Sequence, residues 1–181
     1  MKRLYLLLLC FSTATAIAQS SLKDIAGHKA DSLQAEVVTW RRDFHANPEL
    51  GNHEFRTAEI IAKYLRSLGI EVKTGIATTG VVGILRGGKP GPVVALRSEM
   101  DALPVTERTP VPFASKVKTM YMGQQVGVMH ACGHDSHMAM LMAVAEILSS
   151  MKSELHGTVK FIFNLPRKVC HPGRLAALKK W

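Results

Sequence analysis

Hydrophobic positions recur along the chain with helical spacing in some segments and as short continuous runs in others. A first predicted helix carries its large side chains at helical spacing: Leu33, Val37, Trp40 and Phe44. It should end at Asn47-Pro48, because the residue before a proline is kept out of the α region. A second predicted helix repeats the pattern with Ile60, Ile61, Tyr64, Leu65 and Leu68. It should stop at Gly69, a residue suited to the helix C-terminus.

Short strands are expected next, separated by turn-forming residues: Ile70–Ile76, Val81–Leu85 and Val93–Leu96. Residues 102–128 show no clear period and predict an irregular loop with room for short strands. Asp135 can cap a last helix that runs to about Met151, and Thr158–Phe163 reads as a buried strand. Helices that alternate with short buried strands predict an α/β layered domain.

The first 18 residues have the features of a secretory signal peptide. Lys2 and Arg3 precede the apolar run Leu4–Phe11, and small residues then lead to the Ala-Ile-Ala sequence at 16–18. A membrane anchor is the weaker alternative, because a bilayer span needs about 20 apolar residues. We therefore predict cleavage before Gln19 and a mature protein that is secreted or periplasmic.

The location of the charged side chains along the chain indicates more about function than the net charge does. The 181 residues are 47% hydrophobic and 20% charged, which suits one globular domain. The formal charge of +9 comes mainly from the two ends, because residues 19–163 hold 16 basic and 14 acidic side chains. A nearly neutral middle without interleaved basic and aromatic residues argues against nucleic-acid binding.

The most reactive residue types are concentrated in the segment MHACGHDSH. Cys132 and His134 flank a glycine there, so a thiolate and an imidazole can converge on one divalent ion. Asp135 can either cap the following helix or hold His134 in its ligating tautomer. His137 lies one helical turn further along, and His130 precedes the cysteine. The cluster therefore predicts a metal site at the start of a helix.

Two cysteines remain after the predicted cleavage, Cys132 and Cys170. Two are too few for the disulfide framework of small secreted domains. A single Cys132–Cys170 disulfide stays an alternative, although the histidines around Cys132 offer its thiolate a better use.

A second group of acidic residues follows the predicted strand Val93–Leu96. Glu99 and Asp101 lie directly after it, and the carboxyl ends of strands line the ligand crevice in open α/β sheets. In such a crevice carboxylates bind metals or position water, whereas on an exposed turn they are merely solvated. Their position alone leaves both interpretations open.

Three segments resemble the M20 metallopeptidase family, in the branch of aminoacylases, hippurate hydrolases and auxin-conjugate hydrolases: WRRDFHANPELGNHEFRTA, GVVGILRGGKPGPVVALRSEMDALPVTE and GVMHACGHDSHMAMLMAVAEIL. The resemblance implies a catalytic domain with a mixed sheet and helices on both faces. It also implies hydrolysis of the amide bond of N-acyl amino acids or similar small conjugates, with a pair of divalent metals as Lewis acid and water activator.

The resemblance extends to individual positions. Cys132 and His134 resemble metal ligands, and Asp101 resembles the catalytic acidic residue that supports the metal centre. Four further residues are expected around the metal or the substrate: Glu99, His130, Asp135 and His137. The expected metal is Zn or Mn, with Co or Ni as alternatives, and the softness of a cysteine ligand favours Zn.

The pattern of the branch breaks at Asn164. The branch continues with QPAEEG, in which one glutamate is the general base and its neighbour a metal ligand, whereas this chain reads NLPRKV. Residues 164–181 can be written as a nucleotide sequence with suitable codons. When one nucleotide is inserted after the codon of Phe163, this sequence translates as QPAEEGLPPGEAGGAEKM instead. We therefore interpret residues 164–181 as a frameshifted tail that follows an N-terminal part of a catalytic domain, residues 19–163.

Two functional hypotheses follow. The first is a metal-dependent amidohydrolase present as an incomplete chain, with a small N-acyl amino acid or peptide-like molecule as substrate. The second is a catalytically inactive secreted fragment that binds metal weakly through Cys132 and His134. Neither involves nucleic acid or, after signal cleavage, a membrane. The homodimer of the family is not expected without its second domain.

Overall fold

The computed structural model describes residues 21–164. The predicted signal peptide at 1–18, the cleavage site before Gln19 and nearly all of the predicted frameshifted tail lie outside the described residues. None of the helices between residues 21 and 164 combines the length and the hydropathy that crossing a membrane requires.

The predicted helices and strands are present in the predicted order along the chain. Their order is α1 (Leu22–Ala46), α2 (Phe55–Ser67), β1 (Glu71–Ile76), β2 (Gly80–Arg86), β3 (Lys89–Glu99), β4 (Lys118–Tyr121), β5 (Gln124–Gly127), α3 (His134–Ser150) and β6 (His156–Asn164), with a 3-10 turn at Lys152–Glu154. Four strands form one sheet in the order β1-β2-β6-β3, in which only the β3–β6 pair is parallel. The α/β class and the mixed sheet are therefore confirmed, and β4 and β5 form a separate hairpin inside the predicted loop.

The three α-helices of the described residues contribute to one core against the same face of the sheet. That core is made of large apolar side chains from the helices and from β2 and β6, among them Phe44, Ile61, Leu65, Val81, Leu85, Met138, Met142, Phe161 and Phe163. Burying side chains of this size contributes about 1.5–3 kcal/mol each. The opposite face carries no helix within residues 21–164, so the predicted second layer of helices is not among the described residues.

The ends of α1 and α2 follow from local chemistry. Ser21 begins α1 with a capping box, in which its side chain accepts from the amide of Asp24 while the Asp24 carboxylate accepts from Ser21. Asn47 ends α1 before the proline, as predicted. Gly69 follows α2 with a φ of 72°, a left-handed conformation that glycine adopts without strain.

The start of α3 corrects one expectation about Asp135. The residue at the N-cap is Gly133, with a φ of 77°, and it provides no side-chain cap. Asp135 lies inside the first turn of α3, and its carboxylate contacts residues of α1 instead. Asp135 therefore does not cap the helix, although an acidic residue in the first turn suits the helix dipole.

Strand β3 is longer than predicted and forms an edge of the sheet that residues 21–164 build. It begins at Lys89 and contains two prolines, at 90 and 92, in a segment that the sequence indicated as a turn. Proline is tolerated at an edge, because its missing N–H need not pair with a neighbouring strand. Val93 and Val94 remain 62% and 49% exposed on this strand, so the described residues leave an apolar edge uncovered.

Glu54, at the start of α2, is a carboxyl group in the core. Its side chain is completely buried, the Thr79 hydroxyl donates to its Oε2 at 2.7 Å, and its Oε1 has no hydrogen-bond partner within the described part of the chain. Burial raises the pKa of Glu54 to about 7, although the bond from Thr79 opposes this shift. The folded chain therefore holds a proton on Glu54 at pH values where the unfolded chain has released it.

This proton makes stability depend on pH. Since the pKa rises from 4.5 to about 7 on folding, Glu54 should lower the free energy of unfolding as pH rises through this interval. The loss amounts to about 3 kcal/mol above pH 7. Urea unfolding between pH 5 and pH 8 should show it, and Glu54→Gln should flatten the profile while Glu59→Gln, at an exposed position of the same helix, should not. Parallel profiles for all three proteins would contradict the assignment.

Candidate metal centre

The carboxyl end of β3 and the start of α3 bring three metal-binding side chains together. Glu99 and Asp101 come from the end of β3 and the residues after it, and His134 is the first residue of α3. One ligand atom from each lies within 4.8 Å of the other two. Of the two interpretations of the acidic pair, the structure supports the crevice and not the solvated turn, because Asp101 is buried and Glu99 is half-buried.

His134 is held in a defined orientation by Asp101. Its Nδ1 lies 2.8 Å from the backbone carbonyl oxygen of Asp101 and 3.1 Å from Asp101 Oδ1. An oxygen of this kind only accepts, so Nδ1 carries the proton and donates it. The Asp101 carboxylate beside Nδ1 raises the pKa of His134, while partial burial opposes the rise. The hydrogen bond from Nδ1 to the Asp101 carbonyl oxygen leaves Nε2 as the nitrogen that can bind a metal.

The remaining ring nitrogen faces a carboxylate. His134 Nε2 lies 3.1 Å from Glu99 Oε2. The lone pair of an unprotonated Nε2 and the negative carboxylate repel each other, so a proton or a cation is required between the two atoms. Two ligands at about 2.0–2.1 Å from one zinc ion stand roughly 3.3 Å apart in a tetrahedral site. The spacing of the two atoms and their chemistry therefore fit a divalent ion bound by Glu99 and His134.

The other predicted residues lie around this group without joining it. Cys132 is a free, exposed thiol whose sulfur is not among the clustered ligand atoms, so its ligand role stays a prediction. His137 is exposed, with its ring centroid 6.3 Å from that of His134. His130 is 4% exposed, and neither of its ring nitrogens has a hydrogen-bond partner among residues 21–164. Burial lowers the pKa of His130 to about 4, which keeps the ring neutral at physiological pH.

Asp135 belongs to a buried network that the sequence did not reveal. Its Oδ2 accepts from Arg41 Nε at 2.9 Å and from His45 Nδ1 at 2.8 Å, so it does not hold His134 as expected. His45 Nε2 lies 3.1 Å from Glu107 Oε1, and the Ser115 amide donates to the other Glu107 oxygen at 2.6 Å. Burial acts to raise the pKa of Glu107, but these hydrogen bonds hold it below its ordinary value.

A cleft lies beside Asp101, between the loop at 48–53 and the β4–β5 hairpin. Its volume is about 540 Å³, within the range typical of small-molecule sites. Much of its wall is apolar, with Leu50, Ala102, Leu103, Pro104, Val117, Met120 and Val128. Lys118 and His53 bring basic groups to the same cleft. Because Asp101 lines the cleft and also contacts His134, a molecule bound there lies next to the metal ligands.

Comparison with known proteins identifies the family. The family model described as Peptidase family M20/M25/M40 matches residues 95–165, which include the whole ligand group. Thermostable carboxypeptidase 2 of Saccharolobus solfataricus is 49% identical over 128 residues. The chain belongs to the M20 family. The M20 resemblance of the sequence is thereby confirmed.

The match covers most of this chain but a minor part of each relative. It covers 70% of this chain and 30% of the carboxypeptidase, and 74% and 34% for the 41% identical N-acyl-L-amino acid amidohydrolase of Geobacillus stearothermophilus. The chain thus spans about a third of the length of these M20 relatives.

A solved M20 structure has the same fold. The YxeP protein of Bacillus subtilis, described as a dinuclear metal-binding peptidase of the M20 family, is 37% identical and superposes with a TM-score of 0.72. The alignment covers 82% of this chain and 40% of that protein. The neighbour and the ligand group together support a divalent metal at the centre described above.

Proposed function

We propose that this chain is part of a metal-dependent amidohydrolase that cleaves the amide bond of N-acyl amino acids or similar small conjugates. The observation that carries the proposal is the arrangement of His134, whose Nδ1 is fixed by Asp101 while its Nε2 faces the Glu99 carboxylate. The names of the relatives support the substrate class, because they include an N-acyl-L-amino acid amidohydrolase and an N-acetylcysteine deacetylase.

The residues of this chain have distinct roles in the proposed reaction. Glu99 and His134 hold the metal, and Asp101 orients the His134 ring through its carbonyl and carboxylate oxygens. When bound, a divalent ion at such a site polarises a carbonyl group and activates water. Cys132 lies two residues before His134, so we include it as a further ligand, and its soft sulfur favours Zn over Mn.

The cleft beside Asp101 is consistent with a small amide substrate. Its apolar wall suits an acyl group or an apolar side chain, and Lys118 provides a positive charge that can attract a carboxylate. Because Asp101 lines the cleft and contacts His134, a substrate in the cleft would lie next to the proposed metal ligands. We therefore assign the cleft to substrate binding.

The experiment that tests this function uses the longer protein encoded when the reading frame after Phe163 is restored. With Zn²⁺ or Mn²⁺ it should release the free amino acid from N-acetyl and N-benzoyl amino acids, as measured by an amine-reactive dye. A chelator should abolish the release, and returning the metal should restore it. The His134→Ala form of the same protein is the matched control and should be inactive. A metal-loaded, folded protein that releases no amino acid from any of these substrates would refute the proposal.

For the 181-residue chain itself we propose metal binding without turnover. The observation that favours this second function is the sequence after Phe163, in which NLPRKV stands where the M20 branch has its glutamate pair. We also propose that the chain is exported, on the strength of the charged, apolar and small-residue segments that precede Gln19.

A further inference from the structure

One buried imidazole joins the two segments that carry the metal ligands. His45 lies at the C-terminal end of α1 and is 4% exposed. One ring nitrogen contacts Asp135, the direct neighbour of His134, at 2.8 Å. The other contacts Glu107, which lies in the loop that follows Asp101, at 3.1 Å. His45 thus bridges the start of α3 and the loop after β3.

The contacts of this bridge are buried on both sides. The side chains of Asp135 and Glu107 are 1% and 2% exposed, and each lies within hydrogen-bond distance of one nitrogen of the His45 ring. A buried carboxylate without donors is costly, so each contact restrains its partner closely. The rings of Phe113 and His45 meet edge to face at 5.6 Å, and this contact attaches the loop to α1 a second time.

Metal binding is sensitive to small displacements of such segments. Ligand distances in a functional site lie within about 0.2 Å of their ideal values, so Glu99 and His134 must keep their relative position closely. They are held on separate elements, the end of β3 and the start of α3. The hydrogen bond from His134 Nδ1 to the Asp101 carbonyl oxygen links these elements directly. His45 provides a second, independent link through its contacts with Asp135 and Glu107.

We propose that His45 is a positioning residue for the metal centre, which holds the start of α3 and the loop after Asp101 in the relation that lets Glu99 and His134 bind one ion. This inference rests on the proposed function, since it needs the metal that the function requires. His45 does not touch the ligand group itself. Its effect passes through Asp135 to the backbone of His134, and through Glu107 to the loop.

The test measures the affinity of the 181-residue chain for Zn²⁺ by competition with a chromophoric chelator, and follows the visible absorption of bound Co²⁺ as a record of ligand geometry. His45→Ala should weaken zinc binding by about 10-fold, the low end of the usual cost of losing a residue that orients a metal ligand, because His45 acts through Asp135 and Glu107. It should also alter the Co²⁺ spectrum. His28→Ala, at an exposed position of the same helix, should change neither. A lower melting temperature with unchanged affinity and spectrum would show a purely structural role and overturn the inference.

A second set of variants keeps the test informative if His45→Ala fails to fold. Glu107→Gln retains the size of the side chain and removes its charge, and it should weaken zinc binding in the same direction. The effects of His45→Gln and Glu107→Gln, which both retain a side chain of similar size, should also be less than additive, because both break the same bridge. Fully additive effects on zinc affinity would show that the two residues act independently and would overturn the inference. Failure of the unmodified chain to bind Zn²⁺ would instead refute the proposed metal function, and the inference with it.

Discussion

Replacing His134 with alanine should abolish measurable zinc binding by this chain. A complete structural zinc site contributes about 10–16 kcal/mol, so one of four ligands accounts for roughly 3 kcal/mol. A loss of that size lowers the affinity by about 10²-fold. Because the ligand group among the described residues contains Glu99 and Asp101 besides His134, we expect the unmodified chain to bind its ion weakly, and the variant should fall below detection in a chelator competition assay.

Two further variants test whether the zinc binds at the site of Glu99, Asp101 and His134. Cys132→Ala should also abolish binding if its thiolate is a ligand, although Cys132 Sγ stands apart from the ligand group. His28→Ala, on the exposed side of α1, should bind zinc like the unmodified chain. Tight, stoichiometric zinc that survives both His134→Ala and Cys132→Ala would show that the metal binds elsewhere.

The 181-residue chain should show no detectable hydrolysis of N-acetyl or N-benzoyl amino acids with Zn²⁺, Mn²⁺ or Co²⁺. Amide hydrolysis at neutral pH needs a base that takes a proton from water and delivers it to the leaving amine, a contribution of typically 10²–10⁴ in rate. In this chain Asp101 is buried and contacts His134 Nδ1 at 3.1 Å, so it is committed to orienting the metal ligand. We propose that residues 164–181 arise from a frameshift, so a gene whose reading frame is restored after Phe163 should encode the glutamate pair and an active enzyme.

The two proteins should be assayed side by side with the same metal and substrate. Turnover by the 181-residue chain that disappears in its Cys132→Ala form would show that a base is present and would refute the inactive-chain proposal. A frame-restored protein that folds, binds metal and remains inactive would refute the amidohydrolase assignment instead. The two proposals therefore fail separately.

The sequence predicted the fold well where local chemistry decides it. The ends of α1 at Asn47 and of α2 before Gly69 depend on the residues at those positions, and periodicity located the helices between them. The start of β3 was missed because a segment with two prolines indicates a turn. It is a strand here because β3 lies at a sheet edge, which is a property of the whole sheet and not of the segment.

The sequence likewise predicted those residues of the candidate site that local patterns reveal, but not the contacts that depend on the whole fold. The rule that strand ends line a crevice pointed to Glu99 and Asp101, and the histidine-rich segment pointed to His134. The partners of Asp135 could not be inferred, because Arg41 and His45 lie 94 and 90 residues before it. His45 gave no signal of its own, since a single histidine near the end of an amphipathic helix is ordinary. Its role arises only when α1 is packed against α3.

The central position of β6 has a consequence for how the chain folds. β6 is the last strand to be synthesised among the described residues, yet it lies between β2 and β3. A nascent chain that has not reached residue 156 therefore holds the β1–β2 pair and β3 without the strand that joins them. Such long-range closure is slow, and unpaired strand edges favour aggregation. The N-terminal portion should therefore depend on chaperones until β6 is available.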